Sequence, residues 1–243
     1  VYSIGAQINN IYVQITDMLA TVLAPQINQT VASEKNCLDI LNRLFIKVGR
    51  LQSYIVMLVL SGFILYGKEF IIFWAGQGYD EAYYVTLLLI IPVSVPLCQT
   101  LGVDIQQAMN KHKYRSVVYA IISIGNVLIS IPLSMKFGAV GAAIGTAIGL
   151  IVGNGMAMNI IYEKIVGLDI INFWKNIIGV FKAIVIPVII GILMKHLVPV
   201  QTFMMLIIEG TVFTIIYFVS VYCISMNNEE KNMINNLFKS IRK

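Results

Sequence analysis

The residues best suited to bind something lie at the start of the chain. Ser3, Gln7, Asn10, Gln14, Asp17, Thr21 and Asn28 recur at intervals of three and four, with a gap near Pro25. That spacing puts them on one face of a helix. A stripe of amides, hydroxyls and one carboxylate can line a water-filled cavity, or it can hydrogen-bond neighbouring helices. Asp17 stands near the middle of the segment and could pair with a cation, bind a coupling ion or sit protonated against a neighbour. Pro25 predicts a kink. Two weaker stripes follow. Gln99, Gln106 and Asn110 align in one segment, with Asp104 and Gln107 on an adjacent face and Pro92 and Pro96 as helix breakers. Ser116, Tyr119, Ser123, Asn126, Ser130 and Ser134 share a face of the next. Glu209 falls in the middle of the last apolar run, where a carboxylate is costly and is either paired or functional.

Other patterns that could signal chemistry do not hold up. Gly62–Glu69 follows a phosphate-binding loop as far as its lysine, but Glu69 stands where Ser or Thr is required. His112 and His196 are isolated from each other, and Cys37, Cys98 and Cys223 form no metal or redox spacing. Asn28-Gln29-Thr30 matches a glycosylation sequon at what reads as the cytoplasmic end of a span. No enzyme, metal site or nucleic-acid partner is expected.

The elements that must hold these stripes are membrane helices. Charged residues make up 12% of the 243, and mean hydropathy is +0.82. Soluble chains carry about 25% charged residues, so a polar exterior cannot be assembled here. About 20 apolar residues cross a bilayer as a helix. Seven stretches qualify: 2–32, 49–67, 82–109, 115–135, 139–162, 176–197 and 201–225. With residue 1 outside, every basic residue except Lys68, Lys136 and Lys195 falls on the inner side, as the positive-inside rule requires. This predicts a multi-pass protein of the cytoplasmic (inner) membrane, with a cytoplasmic basic tail at 226–243. Residues 33–50 alternate apolar and charged positions and read as an amphipathic helix on the interface. Phe70–Gly78 reads as an aromatic interfacial turn, and Lys182 can snorkel to the inner interface. Gly141, Gly145, Gly149 and Gly153 repeat every four residues, a small-residue face for close helix packing. The chain starts at Val1 on an apolar segment, which reads as the C-terminal part of a longer protein.

Several of these pieces together resemble a known family. They are Tyr2 with Ala6-Gln7-Ile8 and the proline-bearing end at Pro25, Arg50, and Phe73-Trp74-Ala75-Gly76 followed by Tyr79 and Ala82. The basic turn Lys111-His112-Lys113, Asn126, and the run from Phe137 to Thr146 complete the set. Over residues 1–165 the chain resembles polysaccharide-biosynthesis flippases of the multidrug/oligosaccharidyl-lipid/polysaccharide exporter superfamily. The resemblance implies an all-α membrane protein whose seven or so helices form the C-terminal lobe of a two-lobe, MATE-like transporter. An N-terminal lobe would lie upstream, and the chain is not expected to fold stably without it. The implied activity is alternating-access transfer of polyprenyl-diphosphate-linked oligosaccharide units for O-antigen, capsule or exopolysaccharide assembly. The implied partners are the lipid-linked oligosaccharide, the bilayer, a glycan polymerase and glycosyltransferases. No cofactor is implied, with proton or sodium coupling as the candidate driving force. The cavity would then be lined by Gln7, Asn10, Gln14, Asp17, Thr21, Gln99, Ser123 and Asn126, and coupling would fall to Asp17 or Glu209. A cation-coupled multidrug exporter of the same fold, a peptidoglycan-precursor flippase and a non-transporting scaffold for glycan assembly remain as alternatives.

Overall fold

The computed structural model describes residues 1–21, 27, 29 and 37–232, with the backbone alone for 18–21 and 37. The features expected at Pro25 and Asn28, the side chain of Thr21, and the tail beyond residue 232 lie outside the described residues. Among the described residues there are helices and no strand. Five helices are long and apolar enough to cross a membrane: Leu38–Ala75, Glu81–Cys98, His112–Val166, Ile170–Leu197 and Phe203–Ser225. The membrane character read from composition is therefore met by individual helices. The described part of the first expected span, Tyr2–Thr21, is not among them, and the stretches 115–135 and 139–162 fall within the single helical run His112–Val166.

The chain divides into two compact units, Val1–Ile177 and Ile178–Lys243. In the first, α1 (Tyr2–Thr21) packs chiefly on α3 (Glu81–Cys98) and also on α2 (Cys37–Ala75). The approach to α3 is close because Gly5 lacks a side chain. A Cβ there would lie 2.7 Å from Val85 Cγ1 and 3.2 Å from the Thr86 nitrogen. Tyr12 ties the three helices together, its hydroxyl 2.8 Å from Ser94 Oγ and donating to the Val56 carbonyl at 3.3 Å. Behind it lies an aromatic core in which Phe45 stacks on Phe173 at 4.3 Å and meets Tyr162 edge-on at 6.2 Å. Gly49 and Gly102 make room for these rings. A Cβ on Gly102 would stand 3.0 Å from Tyr162 and 3.1 Å from Phe45, and one on Gly49 would strike Phe173.

Three sequence expectations are corrected in detail. Over its described part, 37–50, the interfacial helix expected at 33–50 is not a separate element, because α2 runs unbroken for 39 residues, about 58 Å at 1.5 Å per residue. Its Gly49 is consumed in packing and so does not end the helix. Arg50 is satisfied without a break, donating to Tyr54 one turn on and to the Asn176 carbonyl. Phe70 to Ala75 belong to the same helix, and the turn is confined to Gly76–Asp80, where Gly76 and Gly78 take positive φ. The segment 82–109 is two helices, α3 and α4 (Thr100–Ala108), interrupted at Gln99. Pro92 and Pro96 weaken the hydrogen-bond ladder there, and the Gln99 amide closes on the Pro96 carbonyl at 2.9 Å.

Residues 112–166 form a helical hairpin. α5 (His112–Leu150) reverses at Gly138, whose φ of 58° and ψ of −135° no helix contains. Its second arm returns against the first through the glycine face. Gly141 lies on the Leu133 backbone and Gly145 on Ser130, and a Cβ on Gly149 or Gly153 would stand 3.5 Å from Asn126 or 2.5 Å from Ile122. The four-residue glycine repeat thus matches one helical face of the arm before it. The second arm continues through a π-helical stretch at Ile151–Ala157 and another at Tyr162–Val166, ending at the left-handed Gly167. α6 (Ile170–Leu197) begins in the first unit and runs into the second. In that second unit it meets α7 (Phe203–Ser220), where Ser220 Oγ donates to the Ala183 carbonyl at 2.6 Å. Asn227 and Glu230 exchange backbone-to-side-chain bonds at 2.9 Å, a reciprocal cap at the start of the next helical turn.

Candidate functional site

The stripe on α1 points away from the rest of its unit. Gly5, Tyr12 and Thr16 are buried, whereas Ser3, Gln7, Asn10 and Gln14, on the opposite side of the helix, are exposed. None of these four side chains hydrogen-bonds to another described residue. Asp17, one turn further, is half-buried and accepts a bond from Thr100 Oγ1 at 3.3 Å. It also lies within electrostatic reach of Asp104. The outward face of α1 is therefore a ladder of amides without hydrogen bonds to other described residues, leading to Asp17, which lies within electrostatic reach of Asp104 on α4.

The other expected cavity residues are placed differently. Gln99 is buried, and its Nε2 donates to Asn159 Oδ1 at 2.7 Å. Asn159 is the centre of a polar network. Its Oδ1 also accepts from Trp174 Nε1 at 2.9 Å, and its Nδ2 donates to the carbonyls of Asn154 and Gly155 at 3.0 and 2.9 Å. Asn154 Oδ1 in turn accepts from Tyr119 at 2.8 Å. The π-helical turn at Ile151–Ala157 is what brings Asn159 back over those two carbonyls. Asn126 accepts from Ser130 at 2.7 Å and sits beside Gly149, so this part of the fourth-span stripe serves the hairpin seam. Ser123 is exposed and Gln106 is fully buried. Glu209 is buried in the second unit.

No protein-family model, curated protein or solved structure matches the chain.

Function must therefore be argued from the sites themselves. Asn154 and Asn159 escape sequence reasoning because their partners Tyr119 and Gln99 are 35 and 60 positions away, and Trp174 and Arg115 stand in no local pattern. An open cleft of about 400 Å³ lies beside the network, lined by Gln107, His112, Arg115, Ser116 and Tyr119. Arg115 lies over the Tyr119 ring at 4.8 Å. Among the described residues no group of three or more His, Cys, Asp or Glu could hold a metal ion.

Proposed function

We propose that the chain is the C-terminal lobe of a flippase that carries polyprenyl-diphosphate-linked oligosaccharides across the cytoplasmic membrane. The observation that carries this reading is the outward-facing polar stripe of α1 on a protein built from membrane helices. Free amides and hydroxyls cannot face hydrocarbon, where an unsatisfied polar group costs several kcal/mol. Within their own unit Ser3, Gln7, Asn10 and Gln14 are not packing glue, because their side chains are exposed on the side of α1 opposite its buried face. They suit a hydrated cavity facing a second lobe, where sugar hydroxyls would replace water as hydrogen-bond partners. Gln7, Asn10 and Gln14 would line it, with Asp17 at its inner limit. Ser123 is exposed on another helix, and Gln99 and Asn126 support the packing behind the cavity.

The test is thiol labelling in intact cells that express the full-length, cysteine-depleted protein. Single cysteines at Gln7, Asn10 and Gln14 should react with a membrane-impermeant reagent and be protected when lipid-linked oligosaccharide accumulates. Cysteine at Ile15, exposed but off the stripe, should stay unreactive. Equal inertness at all four positions would mean that the stripe is sealed by another helix, and the transport reading would lose its support.

A cation-coupled exporter is the second reading, favoured by Asp17 and Asp104 near one another and by the Thr100 bond. It predicts that Asp17→Asn abolishes ion-driven drug efflux while glycan export is unaffected.

A further inference from the structure

Outside the α1 face, several basic residues of the first unit lie around one of its ends. Lys111 Nζ donates to the Ile165 carbonyl at 2.6 Å, and the Asp169 nitrogen donates to Asn42 Oδ1 at 2.8 Å. Gly167 rests against Leu38. These contacts bring the start of α2, the turn before α5 and the end of the hairpin's second arm to a common level. Arg43, Lys113 and Lys164 are exposed there. The open cleft sits at the same end.

The lining of that cleft is complementary to a phosphate group. Arg115 makes no ion pair among the described residues, and its Nε is buried without a hydrogen-bond partner. Asp104 is within electrostatic reach but does not bond to it. Arg115 sits over the Tyr119 ring at 4.8 Å and donates no hydrogen bond to a described residue. His112, Ser116 and Gln107 add a ring nitrogen, a hydroxyl and an amide around the same space, and all three are exposed. We infer that this cleft binds a phosphate-bearing anion, with Arg115 as the ligating cation and Ser116, His112 and Gln107 as hydrogen-bonding partners. Two sources share that chemistry: the head group of an anionic lipid, reached from a membrane surface, and a free phosphate or diphosphate. Because Tyr119 also donates to Asn154, occupancy would be felt at the π-helical turn and the Asn159 network. The inference does not depend on the flippase reading and would hold for a chain that moved nothing.

The experiment uses the full chain in phosphatidylcholine nanodiscs, titrated calorimetrically with inorganic diphosphate. In parallel, native mass spectrometry reads retained lipid after reconstitution in equal parts phosphatidylglycerol and phosphatidylcholine. Binding of either probe is expected, weakened about 10- to 100-fold by Arg115→Gln, as loss of a charge-assisted hydrogen bond implies. Ser116→Glu should weaken it comparably by placing a negative charge in the cleft. Should Arg115→Gln fail to fold, Ser116→Glu carries the test, since Ser116 is exposed and bonds only to the His112 carbonyl within its own helix. Lys113→Gln, outside the lining, should change affinity by no more than about twofold, as a screened surface charge does. Diphosphate binding alone would identify a soluble phosphoanion, and phosphatidylglycerol retention alone a lipid head group. Absence of binding by both probes overturns the proposal, as does unchanged binding in Ser116→Glu or an equal loss in Lys113→Gln.

Discussion

Replacing Asn159 by alanine should cost about 2 kcal/mol of stability. The side chain makes four hydrogen bonds, two of them accepted from Gln99 and Trp174 and two donated to carbonyls of its own helix. Alanine orphans the Gln99 amide, which is 1% exposed and has no route to water. A buried donor left without a partner costs about 1–3 kcal/mol. Trp174 is half-buried, so its indole N–H recovers part of its loss from solvent or lipid head groups. The two freed carbonyls retain acceptor contacts within the helix. On the membrane-derived scale, where a side-chain hydrogen bond averages about 0.6 kcal/mol, the two interhelical bonds alone would give about 1 kcal/mol. The excess over that figure measures the orphaned Gln99 donor.

The assay is unfolding of the full-length protein in mixed micelles of increasing SDS fraction, followed by circular dichroism. A double-mutant cycle separates bond from burial. Asn159→Leu should be as damaging as alanine, because leucine also strands Gln99. Adding Gln99→Leu should restore about half of the loss, since removing both partners of a buried bond is nearly neutral. Strictly additive effects, or an Asn159→Ala cost below about 0.5 kcal/mol, would show that the network contributes nothing to holding α3, the hairpin and α6 together.

Three further outcomes follow from the packing. Gly145→Val places a side chain on Ser130 across the hairpin and should cost about 1–3 kcal/mol, whereas Gly149→Ala, with its Cβ in ordinary contact at 3.5 Å, should be nearly silent; thermal denaturation in detergent checks both. Gly78→Ala meets no atom within 4 Å but must hold φ at +93°, so it should lower stability by about 1 kcal/mol through backbone strain alone; the same melt reads it. Tyr12→Phe removes the hydroxyl beside Ser94 and the Val56 carbonyl and should cost about 1 kcal/mol, loosening α1 enough that protease sensitivity of its N-terminal half rises; an unchanged digestion rate would mean that Gly5 and Thr16 alone hold the helix.

What the sequence made legible depended on whether a pattern had one physical reading. Glycines at every fourth position of a helix have one, close approach, and Gly141, Gly145 and Gly149 do meet Leu133, Ser130 and Asn126. The α1 stripe was legible as a face, because three-and-four spacing fixes which residues share a side, but periodicity is blind to what that side meets. Charges between leucines at 33–50 suggested a helix lying on a surface. From residue 37 on, the same stretch serves equally well as the start of a long helix whose Leu41, Phe45 and Val48 are buried, and only packing at Gly49 and Arg50 decides between the two. The Asn159 network was not legible at all. Gln99 and Asn159 are 60 positions apart, and the π turn that aims Asn159 has no composition of its own.

The burial pattern separates polar residues that seemed alike in the sequence. Gln99, Asn154 and Asn159 face inward and are hydrogen-bonded within the chain, so their chemistry is spent on joining helices. Gln7, Asn10 and Gln14 have the same functional groups but face outward and are unspent. In water that difference would mean little, because exposed amides are ordinary there. α1 is not one of the five membrane-length apolar helices, but it packs along α3, which is, through Gly5 against Val85 and Tyr12 against Ser94. At that depth its outward amide ladder needs a polar counterpart that lipid cannot supply. The counterpart must be water in a cavity, a solute, or another polypeptide. Labelling of Gln7, Asn10 and Gln14 tells these apart: a sealed stripe points to polypeptide, an open one to water, and an open stripe closed by oligosaccharide to the solute itself.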